Sequence, residues 1–147
     1  MLVERMLIAA QQKLVTVRDD TPLIEVAQLL GNKEANLIVV CDPNGVLAGV
    51  IAKTDIVRQI GRSGGMNCTL PSAIIMTRNV AFCRPDDLLS EVWIVMKTRG
   101  LKHIPVVNDE EQPIGLLIAR DVLETLLNVS AYEEQLLRDY VMCIGYR

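Results

Sequence analysis

Aromatic side chains are nearly missing from this chain: 147 residues hold one tryptophan, one phenylalanine and three tyrosines. Its core must rest on Leu, Ile and Val, and a hydrophobic share of 50% supplies them. A basic surplus is missing as well. Fifteen Lys and Arg face eighteen Asp and Glu, for a formal net charge of −3, so no cationic excess exists to displace counterions from a nucleic acid. No apolar run approaches the roughly 18 residues that a membrane span needs. The N-terminus, Met1-Leu2-Val3-Glu4-Arg5-Met6, carries an early acid and no long apolar segment. No export signal is read there, and a cytoplasmic location is expected. The four cysteines (Cys41, Cys68, Cys83 and Cys143) form no Cys-x-x-Cys pair, and the single His103 cannot complete a zinc site. No metal is expected, and the thiols read as reduced, small hydrophobes. Without a second histidine, no Ser or Cys has an evident base partner, so catalysis is not expected.

What the chain does have is one stretch said twice. Gly49-Val50-Ile51-Ala52-Lys53-Thr54-Asp55-Ile56-Val57 is matched by Gly115-Leu116-Leu117-Ile118-Ala119-Arg120-Asp121-Val122-Leu123, at an offset of 66 residues. In each, a glycine opens a short apolar run and an aspartate sits at what looks like a strand-to-helix junction. The same offset pairs Ile8 with Ile74, Arg18 with Arg84, Asp20 with Asp86, Leu23 with Leu89, Ile38 with Ile104 and Val40 with Val106. An ungapped match of this length indicates an internal repeat.

Each unit reads as strand–helix–strand–strand–helix. Leu14–Val17 predicts a short strand, and Asp20-Thr21-Pro22 opens a helix with Pro22 at its first position. Leu23, Val26, Ala27 and Leu30 then share one buried face. Gly31-Asn32 can close that helix. Leu37–Cys41 and Val46–Ala52 form a hairpin across the turn Asp42-Pro43-Asn44-Gly45, and a second helix starts near Asp55. Gly61-Arg62-Ser63-Gly64-Gly65 reads as loop and boundary. In the second unit the strands are expected at 79–83, 103–107 and 114–118. One helix opens at Arg84-Pro85-Asp86-Asp87 with Leu89, Val92, Trp93 and Met96 on its core face, and another spans 121–127. Met1–Leu7 suggests a short amphipathic helix. Ser130-Ala131-Tyr132-Glu133 fits a capping box for a separate tail helix with an apolar stripe of Tyr132, Leu136, Leu137, Tyr140 and Val141. That stripe either packs on its own domain or closes a dimer. Units of this size bury little alone, so the two are expected to pack sheet to sheet about a pseudo-twofold axis. The fold class is α/β (α+β), with repeat 1 and the N-terminal helix at 1–66, repeat 2 at 67–128 and the tail helix at 129–147.

Paired units carrying Gly-x-x-x-x-x-Asp resemble tandem CBS domains, the Bateman module. The supporting residues are Leu37-Ile38-Val39-Val40 and Gly49–Asp55 in the first unit. In the second they are Ile75-Met76-Thr77, His103-Ile104-Pro105-Val106-Val107 and Gly115–Asp121. The resemblance covers about Val3 to Leu127 and implies a stand-alone module that binds an adenine nucleotide between the repeats. AMP comes first, with ATP, ADP, NAD and S-adenosylmethionine as alternatives. It further implies a disc-like homodimer that reports ligand levels to an effector protein.

The family's ribose-binding aspartate falls on Asp121 and Asp55, where an ionised carboxylate can accept from two vicinal hydroxyls. Contacts are also implied at Ile118, Arg120, Lys102, His103, Ile104 and Pro105 in the second repeat. In the first they fall on Ala52, Lys53, Thr54, Leu37, Ile38 and Thr16. Where the family often has a Ser or Thr three residues after the glycine, this chain has Ala52 and Ile118. Arg120, Lys102 and His103 equip the second repeat better for a phosphate, since an arginine at a helix start is a natural anion site. As plain structure, Asp55 and Asp121 are helix N-caps. A structural or dimerisation module with degenerate nucleotide sites is the alternative function.

Overall fold

The computed structural model describes residues 1–32, 35–65 and 68–145, with side chains described as far as Asp139. The expected repeat boundary at 66/67 lies outside the described residues, as do the side chains of Tyr140, Val141 and Cys143. The chain opens with a 3-10 turn, Val3–Met6, and helix α1, Leu7–Lys13. The first repeat follows as β1 (Thr16–Arg18), α2 (Leu23–Asn32), β2 (Leu37–Cys41), β3 (Leu47–Ala52) and α3 (Lys53–Ser63). A short helix, α4 (Ser72–Ile75), precedes the second repeat: α5 (Leu89–Arg99), β4 (His103–Val107), β5 (Pro113–Ile118) and α6 (Ala119–Gly145).

Strand β2 sits centrally, parallel to β1 and antiparallel to β3. Its Leu-Ile-Val-Val-Cys run is buried on both faces, as a β-branched run without alternation requires. The second sheet has only β4 and β5 in full. The strand expected at 79–83 shrinks to one parallel bridge from Cys83 to Val106, the counterpart of the Val17–Val40 pair in β1. Arg84 and Pro85 follow at once, and proline has no N–H to extend a ladder. Both hairpins carry a register shift at equivalent places, after Val40 and after Val106.

Their turns are built alike. The Asp42 carboxylate accepts from the N–H groups of Asn44 (2.8 Å) and Val46 (3.0 Å). The Asn108 side-chain oxygen accepts from Glu110 (3.0 Å) and Gln112 (2.9 Å). Gly45 takes a left-handed φ of 82°, and its counterpart Glu111 takes φ 61°.

Helix α2 ends at Gly31-Asn32 as expected, and three details differ from the sequence expectation. Helix α2 begins at Leu23, with the Pro22 carbonyl accepting from Glu25 (3.0 Å), so proline precedes the helix instead of opening it. Gly61, Arg62 and Ser63 belong to α3, which stops at Gly64 in a left-handed conformation (φ 64°). The two helices expected at 121–127 and from Ser130 are one helix of 27 residues. No Gly or Pro stands between Ala119 and Ile144, and Ser130 is tolerated inside it.

Three apolar clusters hold the molecule. One belongs to the first repeat, around Leu23, Val26, Leu30, Ile38, Val40 and Ile51, and takes in Met76. One belongs to the second, around Leu89, Val92, Met96, Ile104, Val106, Leu117 and Val122, and takes in Val3 and Ala10. The third joins the sheets through Leu37, Val39 and Leu116, as sheet-to-sheet packing predicts. Each repeat thus lends its leading segment to the other. Helix α1 lies on β5, and Met76-Thr77 lies on β3, where Val50 and Thr77 exchange backbone bonds of 3.0 and 2.9 Å. At these crossings sit the two motif glycines. A Cβ on Gly49 would lie 2.7 Å from Met76 Sδ, and one on Gly115 would lie 2.9 Å from Ala10 Cβ.

Candidate functional site

Both Gly-x-x-x-x-x-Asp segments run from a strand into a helix without a loop. Across the hairpins, Leu37 pairs with Ala52 and His103 pairs with Ile118. The first residue of each inner strand therefore stands beside the last residue before the helix. Asp55 and Asp121 each occupy the third helical position, not the N-cap.

Their surroundings differ. The Asp55 carboxylate accepts from the Ala52 N–H (2.8 Å) and meets the Arg58 guanidinium at 3.5 Å. It closes half of a capping box, the other half being absent because alanine offers no acceptor. Its plain structural role is therefore present. Among the described residues, no donor reaches the Asp121 carboxylate, which is half-buried at the start of α6. The Ala119 N–H is held by the Lys102 carbonyl at 2.8 Å, so the start of α6 is pinned to the entrance of β4.

Beside that entrance a cleft of about 220 Å³ opens between the repeats. The first repeat contributes Leu37 and Val50, the crossing segment Thr77, Asn79, Val80 and Ala81, and the second repeat Arg99 to His103 and Pro105. Its base is apolar, and its mouth carries the cations of Arg99 and Lys102, both exposed. Gly100 ends α5 in a left-handed turn (φ 66°), which delivers Leu101 and Lys102 to the cleft. His103 is half-buried. Burial and, second, the charge of Lys102 lower its pKa, so the imidazole is held towards its neutral, hydrogen-bonding form.

The structure brings Lys102, His103, Pro105 and Leu37 together in this cleft, with Ile118 paired to His103. Arg120 is exposed on the first turn of α6. Ile38 and Ile104 face elsewhere: at 0% and 1% exposure they are core residues of the first and second repeat. Leu37, His103 and Pro105 turn one face of their strands to the cleft, and Ile38 and Ile104, on the opposite face, turn to the cores. Thr16, Lys53 and Thr54 are exposed on the first repeat, with Lys53 beside Leu30, Ile56 and Val57 instead of the cleft. Missed from the sequence were Val50, Thr77, the segment 79–81 and the segment 99–101. Asn79–Ala81 read as strand, and only the crossing of Met76-Thr77 onto β3 shows that this segment lines a cleft.

Cys83 is buried, and burial with the Asp87 charge pushes its thiol up to about 12. It is an inert core residue, as is buried Cys41. Among the described residues no three His, Cys, Asp or Glu side chains are grouped to hold a metal ion. No helix among them is long and apolar enough to cross a membrane.

Comparison with known proteins agrees with this architecture. The CBS domain family matches residues 7–62 and 72–128. The protein MJ1225 of Methanocaldococcus jannaschii is 31% identical over 96% of this chain, which spans 55% of that relative's length. Among solved structures, CBSX2 in complex with AMP superimposes with a TM-score of 0.73 at 20% identity, covering 88% of this chain and 98% of that one. The CBS domain pair of MJ0100, in complex with 5-methylthioadenosine and S-adenosyl-L-methionine, gives a TM-score of 0.72 at 23% identity, with 88% and 98% covered.

Proposed function

From the premise that this chain belongs to the CBS domain family and carries the domain twice, we propose that it is a regulatory module that binds an adenosine-containing ligand, not an enzyme. The observation that carries this reading is the cleft at the entrance of β4. It has an apolar base and cations at its mouth, and the first residue of α6 is tied to its entrance by the Ala119–Lys102 backbone bond, two residues before Asp121, which does not itself line the cleft. An adenine ring suits the apolar base formed by Leu37, Val50, Val80 and Ala81. The ribose hydroxyls suit the two acceptor oxygens of Asp121. Lys102, His103 and Arg120 suit a phosphate, and Ile118 is an apolar wall. Solved relatives with AMP and with S-adenosyl-L-methionine support the ligand class; AMP is the first choice, followed by ATP, ADP and NAD.

The first repeat is the weaker partner in this reading. Asp55 is already engaged by Ala52 and Arg58, and Thr16, Lys53 and Thr54 stand apart from the cleft. Exposed Ile24, Val57 and Ile60 on the first repeat's helices and Ile94, Leu123 and Leu127 on the second's support a disc-like homodimer. A cytoplasmic setting and an effector protein complete the proposal. Titration calorimetry with AMP, ADP, ATP, NAD and S-adenosylmethionine tests it. At least one ligand is expected to bind, with Asp121→Ala weakening it by about tenfold or more and Asp55→Ala by less. No heat with any of the five overturns the reading, and equal losses in the two variants overturn the asymmetry.

A second reading, a structural module with degenerate sites, is favoured by one feature. Ala52 and Ile118 stand where a hydroxyl is expected, which removes a hydrogen bond of about 1 kcal/mol at each site. It predicts a dimer whose melting temperature ignores all five ligands.

A further inference from the structure

Helix α3 has a polar edge of which the nucleotide reading uses only Asp55. Asp55, Arg58, Gln59 and Arg62 follow at i, i+3, i+4 and i+7 and so share one side of the helix. They line a second cavity of about 250 Å³, closed on its far side by Ile74 and Ile75 of α4. The two guanidiniums stand one helical turn apart. Arg58 meets Asp55 at 3.5 Å, a long contact for an ion pair, and Asp55 spends its other oxygen on the Ala52 N–H. Among the described residues, no acid pairs with Arg62. The cavity is therefore lined by two exposed arginines against one shared negative charge, in a chain whose net charge is −3.

The repeat supplies a control within the same molecule. Under the 66-residue offset, Arg58 and Arg62 correspond to Glu124 and Asn128. The shared fold thus accepts an acid and an amide at these places, and the arginine pair is particular to the first repeat. Guanidinium is the side chain suited to a tetrahedral oxyanion, because its planar fork donates two parallel hydrogen bonds and stays charged at any ordinary pH.

We propose that the cavity between α3 and α4 is an anion site for a phosphoryl group, held by Arg58 and Arg62, with Asp55 as a competing internal anion. The site is separate from the cleft at β4 and stands whether or not that cleft binds a nucleotide. Its ligand is inorganic phosphate or the phosphate of a small phosphomonoester. By touching both α3 and α4, it ties the first repeat to the segment that leads into the second.

Calorimetric titrations with inorganic phosphate and with AMP test this on the full chain and on Arg58→Gln, Arg62→Gln, Asp55→Asn and, as a surface control, Arg138→Gln. All four side chains lie at the surface or at its edge, and asparagine keeps an acceptor for Ala52, so unchanged melting curves are expected. Phosphate, AMP or both should bind about fivefold or more weakly to Arg58→Gln and Arg62→Gln and be unaffected by Arg138→Gln, and inorganic phosphate should bind more tightly to Asp55→Asn. A response with phosphate identifies the free ion as ligand, and a response with AMP alone identifies the esterified group. The proposal is overturned if neither ligand responds to either arginine variant, if Arg138→Gln has the same effect, or if Asp55→Asn weakens the binding of inorganic phosphate. AMP binding that is lost in Asp121→Ala yet indifferent to both arginine variants overturns this site and leaves the β4 cleft intact.

Discussion

A methyl group added to Gly49 would sit 2.7 Å from the backbone oxygen of Thr77 as well as from Met76 Sδ, whereas one added to Gly115 meets mainly the Cβ of Ala10. Backbone held by a two-bond bridge yields less readily than a helix face. Gly49→Ala is therefore expected to cost about 2 kcal/mol and Gly115→Ala about 1 kcal/mol, to be read from urea denaturation. The sequence marks both glycines as special through their repetition. It does not tell why, because the crowding comes from a segment far along the chain. Residues 45 and 111 show the opposite situation. Both have a positive φ, but only the first is glycine, so Gly45→Ala should destabilise and Glu111→Gly should stabilise, each by about 1 kcal/mol. Thermal melts of the two variants check the signs. His103 sets a pH dependence. Its folded pKa lies below the ordinary 6.5 because of burial and Lys102, so between these two values the unfolded chain binds more protons. Stability then rises with pH across that window, and acidification through it weakens the fold. His103→Gln should flatten that slope in pH-dependent denaturation.

At the scale of elements, the hairpins were the most legible parts. Asp42-Pro43-Asn44-Gly45 and Asn108–Glu111 announce their turns by residue type, and the apolar runs beside them leave no other partner. Helix faces were legible as well: Leu89, Val92 and Met96 are buried as their spacing predicts. What failed were boundaries decided by tertiary contact. Helix α4 has four residues and no periodicity to detect. It exists because Ser72, fully buried, donates from its N–H and its hydroxyl to the Thr21 carbonyl at 2.9 and 2.7 Å. Arg62 read as loop because glycines flank it, and its place on the arginine edge of α3 emerged only with the helix. The capping box at Ser130 was a sequence coincidence inside α6. Beyond residue 128 that helix leaves the repeat, with Tyr132 64%, Leu136 49% and Leu137 62% exposed. Truncation after Val129 is accordingly expected to leave the urea midpoint of the two repeats unchanged, and a shift in that midpoint would show that the tail packs on the fold.

For the molecule as a whole, the exchange of leading segments governs stability. Val3 and Ala10 lie in the core of the second repeat at 0% and 3% exposure, although the sequence places them before the first. Removing residues 1–13 should unfold the second repeat selectively and abolish binding at the β4 cleft. Amide exchange that is lost in β4 and β5 but kept in β2 and β3 would be the sign. The repeat and its sheet-to-sheet packing were readable from the 66-residue offset. The exchange was not, since an amphipathic segment states that it needs cover and not who provides it. The crossing also has a bearing on ancestry. Gly49 and Gly115 each receive a segment from the opposite half, so neither half is complete alone, while two identical halves would complete each other. The present chain has the layout of an ancestral homodimer whose gene was copied and fused in tandem, after which the two former subunits were free to diverge: one towards an Asp121 with no donor among the described residues, the other towards its arginine edge.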